Sequence, residues 1–179
     1  MAQVLEIREQ KRYLAGKKAF ESWRKRFHES FDIETRPEDL TEAALSILIE
    51  GTEEASMPLY EFIMGALGLG KGPRFYSLET AEILLVTDIS LFLLDQLRFE
   101  AMRRMDWVED WPTLHIPLLD LVLDYAGRFS SAKHATPDLS ATHPLFPEYQ
   151  RIFQGDRPSF VRRLIPDAVR AFQEQFGTP

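Results

Sequence analysis

A chain of 179 residues and 20.7 kDa is long enough for one well-buried domain and short for two. Apolar residues make up 45% and charged residues 27%, a balance that excludes wholesale disorder and fibrous repeats. The lack of cysteine removes disulfides, thiolate zinc sites and cysteine nucleophiles. A formal charge of −7 and a pI near 5.2 argue against polyanion binding by the molecule as a whole.

The opening residues, MAQVLEIREQKR, mix charges with apolar side chains and hold no signal-like apolar run, so a cytoplasmic protein is expected. Residues 1–31 carry eight Lys/Arg against four Glu, a net of +4, whereas residues 32–100 carry four against fourteen, a net of −10. Within the basic segment Phe20, Trp23, Phe27 and Phe31 form a helical stripe interleaved with Arg24, Lys25 and Arg26. Val4, Ile7 and Leu14 fall on another side of an unbroken helix, so either Gly16 breaks that helix or it serves two partners. The simplest arrangement docks the aromatic stripe on the core or on a second chain and turns the basic face toward the acidic middle region. Attachment to nucleic acid or to a membrane surface through residues 1–31 ranks last, because the remaining residues are net −11.

Helix punctuation continues along the chain. Thr35-Arg36-Pro37-Glu38 has the form of a capping box with proline in the first turn, followed by Leu40, Ala44, Ile47 and Leu48 and stopped by Gly51. A helix over about 57–67 runs into a cluster of four glycines, Gly65 to Gly72. Residues 65–71 fit the phosphate-loop spacing GxxxxGK. Gly72, however, stands where a Mg²⁺-binding hydroxyl is needed, and no strand precedes the loop. These glycines therefore read as a helix end in a left-handed turn and a close bend.

Ser77 opens the longest predicted element, a helix over about 78–109 with Glu79 and Glu82 in its first turn. Its apolar core, Ile83–Leu97, is 15 residues long and carries Asp88 and Asp95, which is too short and too charged to span a membrane. Ile83, Val86, Ile89, Leu93 and Leu97 cover one side, and Leu84, Leu85, Leu91, Phe92, Phe99 and Met102 much of the other. A rod apolar all round is expected to lie buried at the centre.

Asp88, Asp95 and Asp106 nearly align on this helix. Asp88 and Asp95, with Asp120 and Asp124 on the next helix (about 117–128) and His115 nearby, define one functional alternative: a hard-cation site for a small metal-dependent hydrolase or ligand-binding protein. The plainer expectation is a solvent seam, with Asp95 paired to Arg98 and Asp124 to Arg128. At the far end of the helix Trp107 and Trp111, together with Arg103 and Arg104, have the composition of an interface centre or of a helix end tucked under a loop.

Residues 130–147 form one long loop with Pro137, Pro144 and Pro147. A short helix then ends at Gly155, and a last one runs from Asp156-Arg157-Pro158 to Phe176, where Pro166 must kink or split it. His28, His115, His134 and His143 have no metal-ligand spacing. No serine-hydrolase elbow or dinucleotide fingerprint occurs. The chain thus reads as a single all-α domain, 1–179, of about six or seven helices. Its leading function is a non-catalytic adaptor, accessory or regulatory module acting through a protein partner or as a homodimer. Candidate contacts are Trp23, Arg24, Lys25, Arg26, Arg103, Arg104, Trp107 and Trp111; no cofactor is implied.

Overall fold

Twenty-five residues of unbroken helix, Thr80–Arg104, set the frame. In the computed structural model, which describes residues 1–177, this rod is α5. It is preceded by α1 (Ala2–Ala19), α2 (Glu21–Phe27), α3 (Glu42–Leu48) and α4 (Glu53–Leu67). It is followed by α6 (Leu118–Leu123), α7 (Phe146–Arg151), α8 (Arg157–Arg163) and α9 (Ile165–Phe176). Short 3-10 turns occupy Pro37–Asp39, Gly72–Ser77 and Gln154–Asp156. The class is all-α; among the described residues no strand forms, and one isolated bridge joins Val108 to Leu139 across the long loop. Among the described residues no helix is long and apolar enough to cross a membrane.

The helices outnumber the six or seven expected because segments that read as single helices are divided. The amino-terminal one breaks at Phe20 rather than at Gly16, through which α1 runs without interruption. The carboxy-terminal one splits at Leu164, and Pro166, which has no N–H to lose, sits in the first turn of α9. The box expected at Thr35 is displaced. Pro37–Asp39 makes a single 3-10 turn in which the Asp39 carboxylate accepts the Arg36 N–H at 2.8 Å. Helix α3 begins only after Thr41, whose hydroxyl accepts the Ala44 N–H at 3.2 Å. Thr52 caps α4 in the same way through Ala55.

Both ends of α5 also differ from the sequence reading. It opens at Thr80, where Glu79 and Glu82 form a capping box and the Glu82 carboxylate accepts the Glu79 N–H at 3.1 Å. It ends at Arg104, five residues early, because Asp106 adopts a left-handed conformation with φ 58°. The Asp106 and Trp107 N–H groups donate to the carbonyls of Arg103 and Met102, a Schellman closure made without glycine. Aspartate tolerates this region better than most residues, so no glycine marks the stop.

Helix α4 lies between α1 and α5 and packs on both. Its crossing with α1 is backbone against backbone. A Cβ at Gly65 would stand 2.6 Å from the Lys18 carbonyl oxygen and 2.9 Å from the Ala19 Cα. Next to it Phe20 stacks on Phe31 at 5.3 Å and Trp23 on Phe62 at 4.7 Å. The Trp23 indole N–H donates to the Pro58 carbonyl at 2.8 Å, so this fully buried ring leaves no polar atom unpaired. Burial of each such side chain is worth about 1.5–3 kcal/mol. The aromatic stripe of the basic segment therefore docks inward on α4. A second cluster, around Phe99, Met102, Trp111, Tyr149 and Phe160, closes the other end of α5 against α7, α8 and the long loop.

The expectation of a rod buried on several sides requires one correction. Val86, Ile89, Leu93 and Leu97 are buried, but Leu84, Leu85 and Leu91 are exposed. Too few helices surround the amino-terminal half of α5 to cover its outer face.

The Gly65 crossing makes a specific demand on side-chain size. Gly65→Ala is expected to cost about 1–3 kcal/mol in urea unfolding, as overpacking does. Gly127→Ala, at a site with nothing within 4 Å of the added carbon, should be neutral or gain up to about 1 kcal/mol. Equal effects at the two positions would rule out the close crossing.

Candidate interaction surface

The four aspartates of the metal alternative do not converge. Asp88 accepts the Tyr125 hydroxyl at 2.6 Å; burial first, and then this carboxylate, push the Tyr125 pKa upward. Asp95 binds Arg162 on α8 at 2.6 Å, not Arg98. The Arg98 side chain turns instead to the Ile49 carbonyl at 3.1 Å, and burial lowers its pKa. Asp120 receives Arg12 through two nitrogens, at 2.9 and 3.0 Å, a fork that raises the Arg12 pKa and pins the base of α1 to α6. Asp124 meets Arg128 at 3.7 Å, the surface pair its spacing suggests. Among the described residues no group of three or more His, Asp or Glu side chains is placed to hold a metal ion. The cation site thus lacks its donor set.

The Trp–Arg corner is built inward. Trp111 is buried, and its indole N–H donates to Gln96 Oε1 at 2.9 Å, an oxygen that also accepts the Thr113 hydroxyl at 2.6 Å. Trp107 is half-buried, edge-on to His143 at 5.0 Å. Glu100 is completely removed from water and takes Arg103 at 2.9 and 3.0 Å and Arg104 at 2.7 Å. This bonding raises the Arg103 pKa. Arg104 also donates to the carbonyls of Pro37, Glu38 and Leu40, so one guanidinium buckles the end of α5 to the turn before α3. On the outer side of that turn the Glu38 carboxylate meets His115 Nδ1 at 3.1 Å. Partial burial would raise the Glu38 pKa, but the His115 and Arg36 contacts outweigh it and hold it low. The sequence reading passed over Glu100, although its spacing of three and four residues from the two arginines was a visible signal.

The three basic residues of α2 are engaged as well, whereas Arg8, Lys11, Lys17 and Lys18 of α1 are exposed. Arg24 donates to the Phe31 carbonyl at 2.9 Å, Arg26 meets Glu61 at 3.3 Å and Lys25 meets Glu21 at 3.3 Å. Trp23 lies in the core.

The glycine cluster lines an open pocket of about 400 Å³ between α2, the end of α4 and the Gly72–Ser77 turn, with Lys18, Lys25 and Lys71 at its rim. Two of the three lysines are met by a carboxylate of the same wall: Glu21 lies 3.3 Å from Lys25 and 3.8 Å from Lys71. Gly68, at φ 70°, ends α4 in the left-handed turn expected of it. A shallower cleft of about 310 Å³ holds Tyr149, Asp138 and Arg157. There Tyr149 donates to Asp138, and burial followed by that contact pushes its pKa up to about 12. Neither cleft brings a nucleophile to a free base.

Two helix faces are left uncovered. The first three turns of α1 stand clear of the body, and Val4, Ile7 and Leu14 are 55, 49 and 54% exposed. Arg12, Ala15, Gly16 and Ala19 hold its other side to the core. On α5, Leu84 and Leu91 are 64 and 59% exposed. Comparison of the chain with protein families, with curated proteins and with solved structures finds no match.

The closed charges carry two consequences. Glu100→Ala strands two guanidinium groups and should lower the unfolding free energy by about 3–5 kcal/mol in urea titration; a loss below about 1 kcal/mol would show the buckle to be dispensable. Burial holds the His143 pKa below its ordinary 6.5, and the neutral ring accepts the Leu145 N–H at 3.1 Å. Protonation therefore favours the unfolded chain, so the contribution is whole above about 6.5 and is lost as pH falls through the lowered folded value. Thermal midpoints should drop from pH 7.5 toward pH 5, and His143→Asn, which keeps an acceptor, should flatten that part of the slope.

Proposed function

We propose that this chain is a non-catalytic helical interaction module, an adaptor, accessory or regulatory protein that works by docking its outer helix faces on protein. The observation behind this reading is a contrast between interior and surface. The candidate carboxylates Asp88, Asp95, Asp120 and Glu100 are engaged by tyrosine or arginine, whereas leucine, isoleucine and valine stand in water in two rows on well-formed helices. Isolated surface apolar residues are ordinary, but rows at helical spacing mark contact sites. Of the four arginines in the basic segment, Arg12, Arg24 and Arg26 are spent on carboxylates and carbonyls of the same chain, which leaves Arg8 exposed as a poor basis for a nucleic-acid arm.

Capture from the native host, followed by native mass spectrometry, tests this. The wild-type chain should carry a protein in whole-number stoichiometry, and Leu84→Lys with Leu91→Lys should release it while the circular dichroism stays helical. A stoichiometric metal or metabolite in place of protein, or capture indifferent to both rows, would overturn the proposal.

A further inference from the structure

The two uncovered rows match each other. The row on α1 is Val4, Ile7, Lys11, Leu14 and Lys18, all exposed; the row on α5 is Ala81, Leu84, Asp88 and Leu91, all exposed, and then Asp95, half-buried beside Arg162. Both follow the alternating three-and-four spacing of a coiled-coil seam. Laid side by side in the same direction, Val4 falls against Ala81, Ile7 against Leu84, Lys11 against Asp88, Leu14 against Leu91 and Lys18 against Asp95. Every apolar rung meets an apolar rung and every lysine an aspartate. The surroundings agree in sign: residues 2–19 hold five Lys/Arg against two Glu, and residues 79–95 hold four carboxylates and no Lys or Arg. Asp88 and Asp95 each use one oxygen, Oδ2, on Tyr125 and Arg162, and each keeps a second oxygen for a lysine.

We infer that α1 of one copy lies along α5 of a second copy, and reciprocally, in a two-fold dimer. This rests on the interaction-module reading and narrows its partner to the chain itself. Either row paired with itself would set lysine beside lysine or aspartate beside aspartate, so only the crossed pairing attracts. Within one chain α4 lies between the two helices, which leaves the contact to a neighbour. A membrane is the poorer occupant of the α1 row. Leu5 and Tyr13 are exposed off the row, but Lys11 interrupts it, and Glu6 and Glu9 lie among the exposed residues of the same three turns. Helix α1 is about 27 Å long. Two-fold exchange makes the contact twice, which favours reaching the roughly 1,200–2,000 Å² that stable interfaces bury.

Sedimentation velocity on the full chain tests the inference. The wild type should be a dimer that weakens with salt. Leu14→Glu and Leu91→Lys alter exposed side chains outside the core, so both variants should stay helical by circular dichroism. Each alone should weaken the dimer at least about tenfold. An equimolar mixture should dimerise again, because one of its two contacts then sets glutamate against lysine and the other is wild-type. A monomeric wild type, a dimer indifferent to both substitutions, or a mixture that stays monomeric would overturn the inference. Binding of a monomer to phosphatidylserine vesicles, lost in Leu14→Glu, would overturn it in favour of a membrane. A monomer that holds a different protein through these rows would also overturn it while leaving the broader reading intact.

Discussion

A carboxylate without water must be compensated in full, and Glu100 is the point where this chain meets that demand. Removing such a group from solvent costs several kcal/mol, which only well-placed opposite charge and hydrogen bonds offset. Arg103 and Arg104 provide both from the next turn of the same helix. Because Arg104 still has a nitrogen to spend, it reaches three carbonyls of the Pro37–Leu40 turn and fixes where the amino-terminal half of the molecule joins the rod. The neighbouring Gln96 does the same for the other half, receiving Trp111 and Thr113 on one oxygen. Both ties lie on the carboxy-terminal part of α5, on neighbouring turns of the same helix.

That concentration explains the asymmetry of the surface. Where α5 carries Gln96, Glu100 and Phe99, helices and loop crowd it on all sides. Toward its amino terminus Val86, Ile89 and Leu93 are buried on the inner side, Asp88 and Phe92 meet Tyr125, and the leucines of the outer side remain in water. Helix α1 repeats the pattern, with its second half seated through Gly16 and Arg12 and its first half free. Association is the role we propose for these bare apolar faces, and their opposite charges are what the proposed pairing joins.

Local rules succeeded where the deciding partner is close in sequence. Gly68 ends α4, Pro166 divides the last helices, and Asp124 pairs with Arg128 four residues away. They failed where a distant group competes. Asp95 had Arg98 within reach but takes Arg162, sixty-seven residues on, while Arg98 is drawn to a carbonyl before Gly51. The aspartate stripe looked continuous on a helical wheel, yet each member answers to a different element, and Asp106 lies beyond the helix because its own backbone ends it.

The order of apolar, capping and breaking residues was enough to establish an all-helical chain with a long central rod, because those preferences act over one or two turns. Which side of the rod faces water, which tryptophan is interior and which charges neutralise one another were settled when the helices packed. Burial and ion pairing are properties of neighbours in space, and a wheel drawn from one helix does not contain the helices that will cover it.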